Sequence, residues 1–273
     1  MHAYLRDCIG RLTEFWERNT SALAFAMNGS GGRGQDDPWS DGDVVLVVAD
    51  DSYQSVCEEM RGLMQRHCGE IRLWLPEGET QRCVNYAFLF EKDGEQFLMD
   101  HAVFCESLMV ETPAYEAGII YFDRSGSLTG ANRRFAESKH DFTAPMLSNL
   151  IDTYLTYTYL NGKYYRRGDT AKMLYIQNTL QGLHMRLFQA LYPDRPFSGW
   201  WCRDIDYLSD EHQSAILLYA APPECGLIGK LVLSELNLFG AHARDACRRL
   251  SITYPEVAEA FVFRQLTDAG LCS

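Results

Sequence analysis

Asp41 and Asp43 stand two residues apart at the mouth of an apolar run, Val44–Val48, in a chain of 273 residues. Alternate residues of a strand leave the same face, so this spacing aims both carboxylates one way. Carboxylates held that close repel unless a cation sits between them. Hard oxygen donors of this kind suit Mg²⁺, which completes its shell with water and substrate phosphate oxygens. A third acid, Asp100, interrupts the apolar segment Phe97–Val103. An aspartate there is costly to bury unless it is paired, hydrogen-bonded or metal-bound. Three acids on adjacent strands can hold two metal ions a few ångströms apart, which clamps the attacking and leaving oxygens of an in-line phosphoryl displacement.

Upstream, Gly29, Gly31 and Gly34 have the G-x-G-x-x-G spacing of a dinucleotide-binding loop. That motif requires a helix directly after the glycines. Here Gln35–Trp39 includes Pro38, which favours a turn, and Ser40–Asp43 leads straight into a strand. Strand, loop, turn and strand exclude the dinucleotide reading. Gly29, Gly31, Gly32 and Gly34 instead permit tight turning that brings backbone N–H groups to an anion, with Ser30 adding a hydroxyl. The anion expected is the β- and γ-phosphates of a nucleotide.

The elements that must position these groups follow from periodicity. Leu5, Ile9, Leu12 and Trp16 predict a helix over 3–19, and Val56, Met60, Leu63 and Met64 another from about 52 to 67. Strands are expected at 23–27, 44–48, 71–75, 84–90, 96–104 and 118–122, with Asp93-Gly94 closing a hairpin. Beyond that, 143–163, 169–192, 209–220, 227–250 and 255–268 have helical periodicity. The expected fold class is α+β, with a mixed-sheet domain over 1–125 and an all-α helical bundle over 126–273.

The net charge of −12 lies wholly in the first domain, where 10 basic face 22 acidic side chains against 15 of each beyond residue 125. Such a surface disfavours nucleic-acid phosphates and suits divalent metals or a cationic small molecule, although solubility alone also accounts for it. Nine cysteines without a C-x-x-C pair, no apolar stretch of membrane-spanning length and no leader-like start point to a reduced, cytoplasmic setting.

Gly29-Ser30, Gly34 and Ser40-Asp41-x-Asp43 before an apolar strand, with Asp100 as the later acid, resemble the signature of the DNA polymerase β-type nucleotidyltransferase superfamily. The likeness covers residues 20–125. It implies the nucleotidyltransferase-fold sheet, two Mg²⁺ ions on Asp41, Asp43 and Asp100, and ATP or another NTP as co-substrate. Within that superfamily the chain is most similar to lincosamide and aminoglycoside nucleotidyltransferases with a helical C-terminal domain. This closer likeness rests on the opening loop, Ile120–Gly126 and Tyr165–Lys172. It implies transfer of a nucleoside monophosphate, AMP from ATP, to a hydroxyl of a small-molecule acceptor, releasing pyrophosphate.

The same likeness aligns Glu106 with an acid near the acceptor hydroxyl. In an unbroken strand Glu106 would share a face with Asp100 and act as general base; a surface glutamate is the alternative. Arg33, Arg166 and Lys172 are candidate phosphate cations, set against the plainer reading of solvated helix and loop charges. The helical domain, holding most of the spare cations, is expected to close the active site. Trp200-Trp201 and His101 read as packing residues. No nucleic-acid or membrane partner is expected; a homodimer is an open option. The rival function is a nucleotide-binding regulatory module of the same fold, antitoxin-like, acting through a protein partner.

Overall fold

Leu5, Cys8, Ile9, Leu12 and Trp16 form one stripe of α1 (Ala3–Arg18), and all five are buried. They cover one face of a six-stranded sheet together with α3 (Tyr53–Cys68). The structure is a computed structural model that describes residues 1–112, 114–137, 142–195, 197 and 200–271 and divides the chain into two units, Met1–Ser138 and Lys139–Ser273.

In the first unit the strands are β1 (Ala22–Met27), β2 (Gly42–Val48), β3 (Glu70–Glu77), β4 (Cys83–Lys92), β5 (Glu95–Cys105) and β6 (Ile119–Asp123), in the order β3-β4-β5-β2-β1-β6. Among the described residues β2 and β5 pair in parallel and the other pairs are antiparallel. A parallel pair needs a long crossover, and α3 with the β3–β4 hairpin supplies it. The run Val44–Val48 has no polar alternation because β2 is covered on both faces. Val44, Leu46 and Val48 pack toward α1 and α3, while Val45 and Val47 join Ala24, Ala26, Leu128 and Ala131 on the other side. Asp93 and Gly94 both have positive φ, 55° and 84°, as a two-residue hairpin turn requires.

Three shorter helices belong to this unit: α2 (Gly29–Gly32) and α4 (Glu106–Glu111) between strands, and α5 (Ser127–Glu137) after β6. The last moves the domain boundary. A division at residue 125 cuts off α5, yet Leu128 and Ala131 are fully buried in the core of the first unit. The turn at Arg124–Gly126 thus closes one strand without ending the unit, and the observed division falls at 138/139, inside a segment (138–141) outside the described residues. The mixed sheet with flanking helices, followed by a helical region, is an α+β fold.

The second unit comprises α6 (Ala144–Arg166), α7 (Thr170–Leu191), α8 (Trp201–Asp204), α9 (Asp210–Leu217), α10 (Cys225–Arg249) and α11 (Glu256–Asp268). Thr143 caps α6 and Asp169 caps α7, each side chain accepting a first-turn N–H. Their core is continuous from Leu147 to Leu271. Among the described residues, no helix is long and apolar enough to cross a membrane.

Candidate active site

The parallel register of β2 and β5 sets Asp43 directly beside Asp100 and Gly42 beside Met99. Asp41, one residue before β2, completes the group: one carboxylate oxygen from each of the three lies within 4.8 Å of the others. Burial, with Asp41 and Asp100 alongside, pushes the Asp43 carboxyl up to about 6, and only Arg33 opposes this. Asp100 is also raised, chiefly by burial, although the Asn85 amide donates to it. Charge is concentrated here against its own repulsion, as expected of a cation site.

The glycine turn is built around Asp43. Gly29 has φ +58°, and a Cβ there would sit 1.7 Å from Asp43 Oδ2. The Asn28 N–H donates to the Asp43 carbonyl at 2.8 Å, so the loop is tied to the strand that carries the acid. Gly32 lies against Gly118, where a Cβ would be 2.3 Å from the Gly32 Cα. Asp36 and Asp37 hold the return of the loop: Asp36 pairs with the N-terminal ammonium and Arg6, and Asp37 accepts the Trp39 N–H. Gly42 does not loosen a sheet edge, as its lack of a side chain suggests; it is buried, with Leu5 packed over it at 3.3 Å from where a Cβ would lie.

Gly29 and Gly34 provide an internal comparison, because Gly34 also has positive φ (+68°) but nothing near its missing Cβ. Both alanine substitutions should cost about 1–2 kcal/mol from the left-handed backbone. Only Gly29→Ala should also abolish the rise in melting temperature that Mg²⁺ gives, since it displaces Asp43. Thermal melts of the two variants with and without Mg²⁺ check this.

Ser30 lies in α2 with Gly29. Arg33 is exposed and its Nε donates to Gln35 Oε1 at 3.0 Å. Glu106 is elsewhere. β5 stops at Cys105, whose extended backbone caps α4, and Glu106 is the first residue of that helix. It lies six positions beyond Asp100, about 20 Å along the sheet. The continuation of β5 that would align the two does not exist; Asp50 accepts the Ser107 N–H and helps to fix the change to helix. Arg166 and Lys172 belong to the second unit. There Arg166 donates to the Asp268 carbonyl, and Lys172 pairs with Asp169 at 2.5 Å. Trp200 is exposed and Trp201 half-buried; Pro196, Ser198 and Gly199, which bound their loop, lie outside the described residues. His101 is fully buried on the α1 side, between Trp16 and Phe25, and burial lowers it to about 4.

Two neighbours of the triad escape the sequence reading. Asn85 Nδ2 donates to Asp100 Oδ1 at 3.0 Å and to Glu77 Oε2 at 3.3 Å, tying a fourth, exposed carboxylate to the group. Counting register across both hairpins would have found it: Glu77 faces Asn85, and Ala87 faces Asp100. Trp39 is 94% exposed beside Asp41, on a cleft of about 390 Å³ that also includes Ser40 and Phe97.

No family model and no curated protein matches the chain. Solved structures do. An aminoglycoside 6-adenyltransferase from Bacillus subtilis aligns over 100% of both chains at 13% identity and a TM-score of 0.46. A proposed nucleotidyltransferase from H. pylori aligns over 92% of this chain and 98% of its own at 10% identity and a TM-score of 0.34. Likenesses this distant carry no assignment, which must come from the site.

Proposed function

We propose that the chain is a Mg²⁺-dependent nucleotidyltransferase that moves a nucleoside monophosphate, AMP from ATP in the first instance, onto a hydroxyl of a small acceptor. The observation that carries this is the convergence of Asp41, Asp43 and Asp100 beside a glycine turn shaped around Asp43. Three carboxylates crowded this closely, with Asp43 and Asp100 raised chiefly by burial, fit a hard divalent cation better than they fit any other partner. Asp41, Asp43 and Asp100 would hold Mg²⁺, which supplies neutralisation of phosphate charge and a lower pKa for a bound hydroxyl.

The chain's own groups account for the rest. The turn at Gly29–Gly32 presents backbone N–H groups and the Ser30 hydroxyl to the nucleotide phosphates, and Arg33 is the nearby cation. Asn85 orients Asp100. Glu77 replaces Glu106 as general base: it takes the proton of the acceptor hydroxyl as the new oxygen–phosphorus bond forms and the bond to pyrophosphate breaks. Trp39 offers an exposed ring for stacking on a nucleobase or acceptor. The acidic first unit favours cationic acceptors, so aminoglycosides and lincosamides are the panel to try first.

The test is transfer of label from [α-³²P]NTPs to members of that panel, with pyrophosphate release read in parallel. Label in a Mg²⁺-dependent acceptor product supports the reading. Mg²⁺-dependent NTP binding without turnover on any hydroxylated acceptor would favour the regulatory module instead.

A further inference from the structure

The interior of the helical unit is not uniformly apolar. Tyr154 of α6, His184 of α7 and His242 of α10 meet in one layer: Tyr154 stacks on Phe239 and lies edge-on to His184, whose Nε2 is 2.8 Å from His242 Nδ1. The helix directions around this layer are fixed. Cys225 Sγ lies 3.3 Å from Met173 Sδ at the starts of α10 and α7, so those helices run parallel. Tyr165 sits where a Cβ on Gly229 would be, so α6 runs antiparallel to α10. Two turns along each helix, seven residues, bring the same faces together again. From Tyr154, His184 and His242 that step arrives at Asn161, Gln177 and Glu235.

All three are buried, at 0%, 2% and 1% exposure. Both polar side-chain atoms of each, six in all, have no hydrogen-bond partner among the described residues. The Gln177 amide lies beside the Glu235 carboxyl and eases its charge, yet completes no hydrogen bond with it. Unpaired polar atoms in a packed interior are expensive, and a protein seldom leaves six in one layer. The layer therefore has room in its chemistry for a guest.

We propose that Asn161, Gln177 and Glu235 form a binding site for a monovalent cation, with two carboxamide oxygens and one carboxylate as its donors. Monovalency follows from charge: the layer offers one negative group, and a divalent ion would leave an uncompensated charge among apolar side chains. The cation competes with a proton. Burial pushes the Glu235 carboxyl up to about 8. The groups that act on it from the other helices, Tyr154, Tyr219 and Gln177, bring no positive charge.

Thermal unfolding of the full chain in chlorides of K⁺, Na⁺, NH₄⁺ and choline at equal ionic strength tests this. A small cation should raise the melting temperature by several degrees over choline, saturably, and by more as pH rises toward about 8, because it binds only the folded state. Glu235→Gln should melt at one temperature in all four salts. Gln177→Met should likewise lose the difference. Rubidium-soaked crystals should show an anomalous peak within the layer. Equal melting of the wild type in every salt, with ordered water between the three side chains, would overturn the site. So would a Glu235→Gln protein that still discriminates among the cations.

Discussion

Asp43→Asn should lower nucleotidyl transfer at least about a hundred-fold, since metal-assisted neutralisation of phosphoryl charge is worth several kcal/mol, while making the metal-free protein more stable. Asparagine keeps the shape and removes the charge. The folded carboxyl titrates near 6, against 3.8 for an unperturbed aspartate, so between those values the folded state holds a proton that the unfolded chain has released. Stability from this group is therefore present in full below about pH 4 and is lost as pH rises through about 6. Discounted for partial exposure, the loss is about 1–2 kcal/mol. Melts of the metal-free wild type should fall across that window and those of Asp43→Asn should be flatter. Saturating Mg²⁺ should cancel the wild-type fall, because the cation holds the carboxylates in their charged form.

Glu77→Gln carries the second large effect. A general base contributes typically about 10²–10⁴-fold, so turnover should drop by roughly that much with Mg²⁺-nucleotide binding unchanged. The pH profile should lose its lower limb, which reports the base. Glu106→Gln is the control: half-buried at the start of α4 and about 20 Å along the sheet from Asp100, it should leave turnover within about two-fold. Steady-state kinetics of the two variants side by side decide between the positions. Full activity in Glu77→Gln would return the base to another group.

Much of this fold was legible in the residues. β2, β4 and β5 announce themselves by apolar runs and by Asp93-Gly94, and the long helices by their periodicity, because one buried face sets a period of 2 or 3.6 whatever lies across from it. The two-residue spacing of Asp41 and Asp43 is likewise local. What was not legible depends on distant partners. The end of β5 at Cys105 is helped by Asp50, more than fifty residues earlier, and no periodicity within 96–106 reveals it. The need for Gly29 comes from Asp43, which fills the space a side chain would take. Glu77 reaches the site through Asn85 and two hairpin registers. The extent of the first unit depends on Leu128 and Ala131 finding the far face of β2, which a strong turn at Arg124–Gly126 conceals.

Nucleotidyl transfer at this site requires Mg²⁺ to join nucleotide to the three aspartates. Titration calorimetry of a non-hydrolysable ATP analogue, with and without Mg²⁺, on the wild type and on Asp43→Asn measures that link directly. Binding to the wild type should tighten at least about ten-fold with Mg²⁺, a coupling of about 1.4 kcal/mol, and Asp43→Asn should show little or no such gain. Nucleotide binding that is indifferent to Mg²⁺, or equally Mg²⁺-dependent in a folded Asp43→Asn protein, would contradict it.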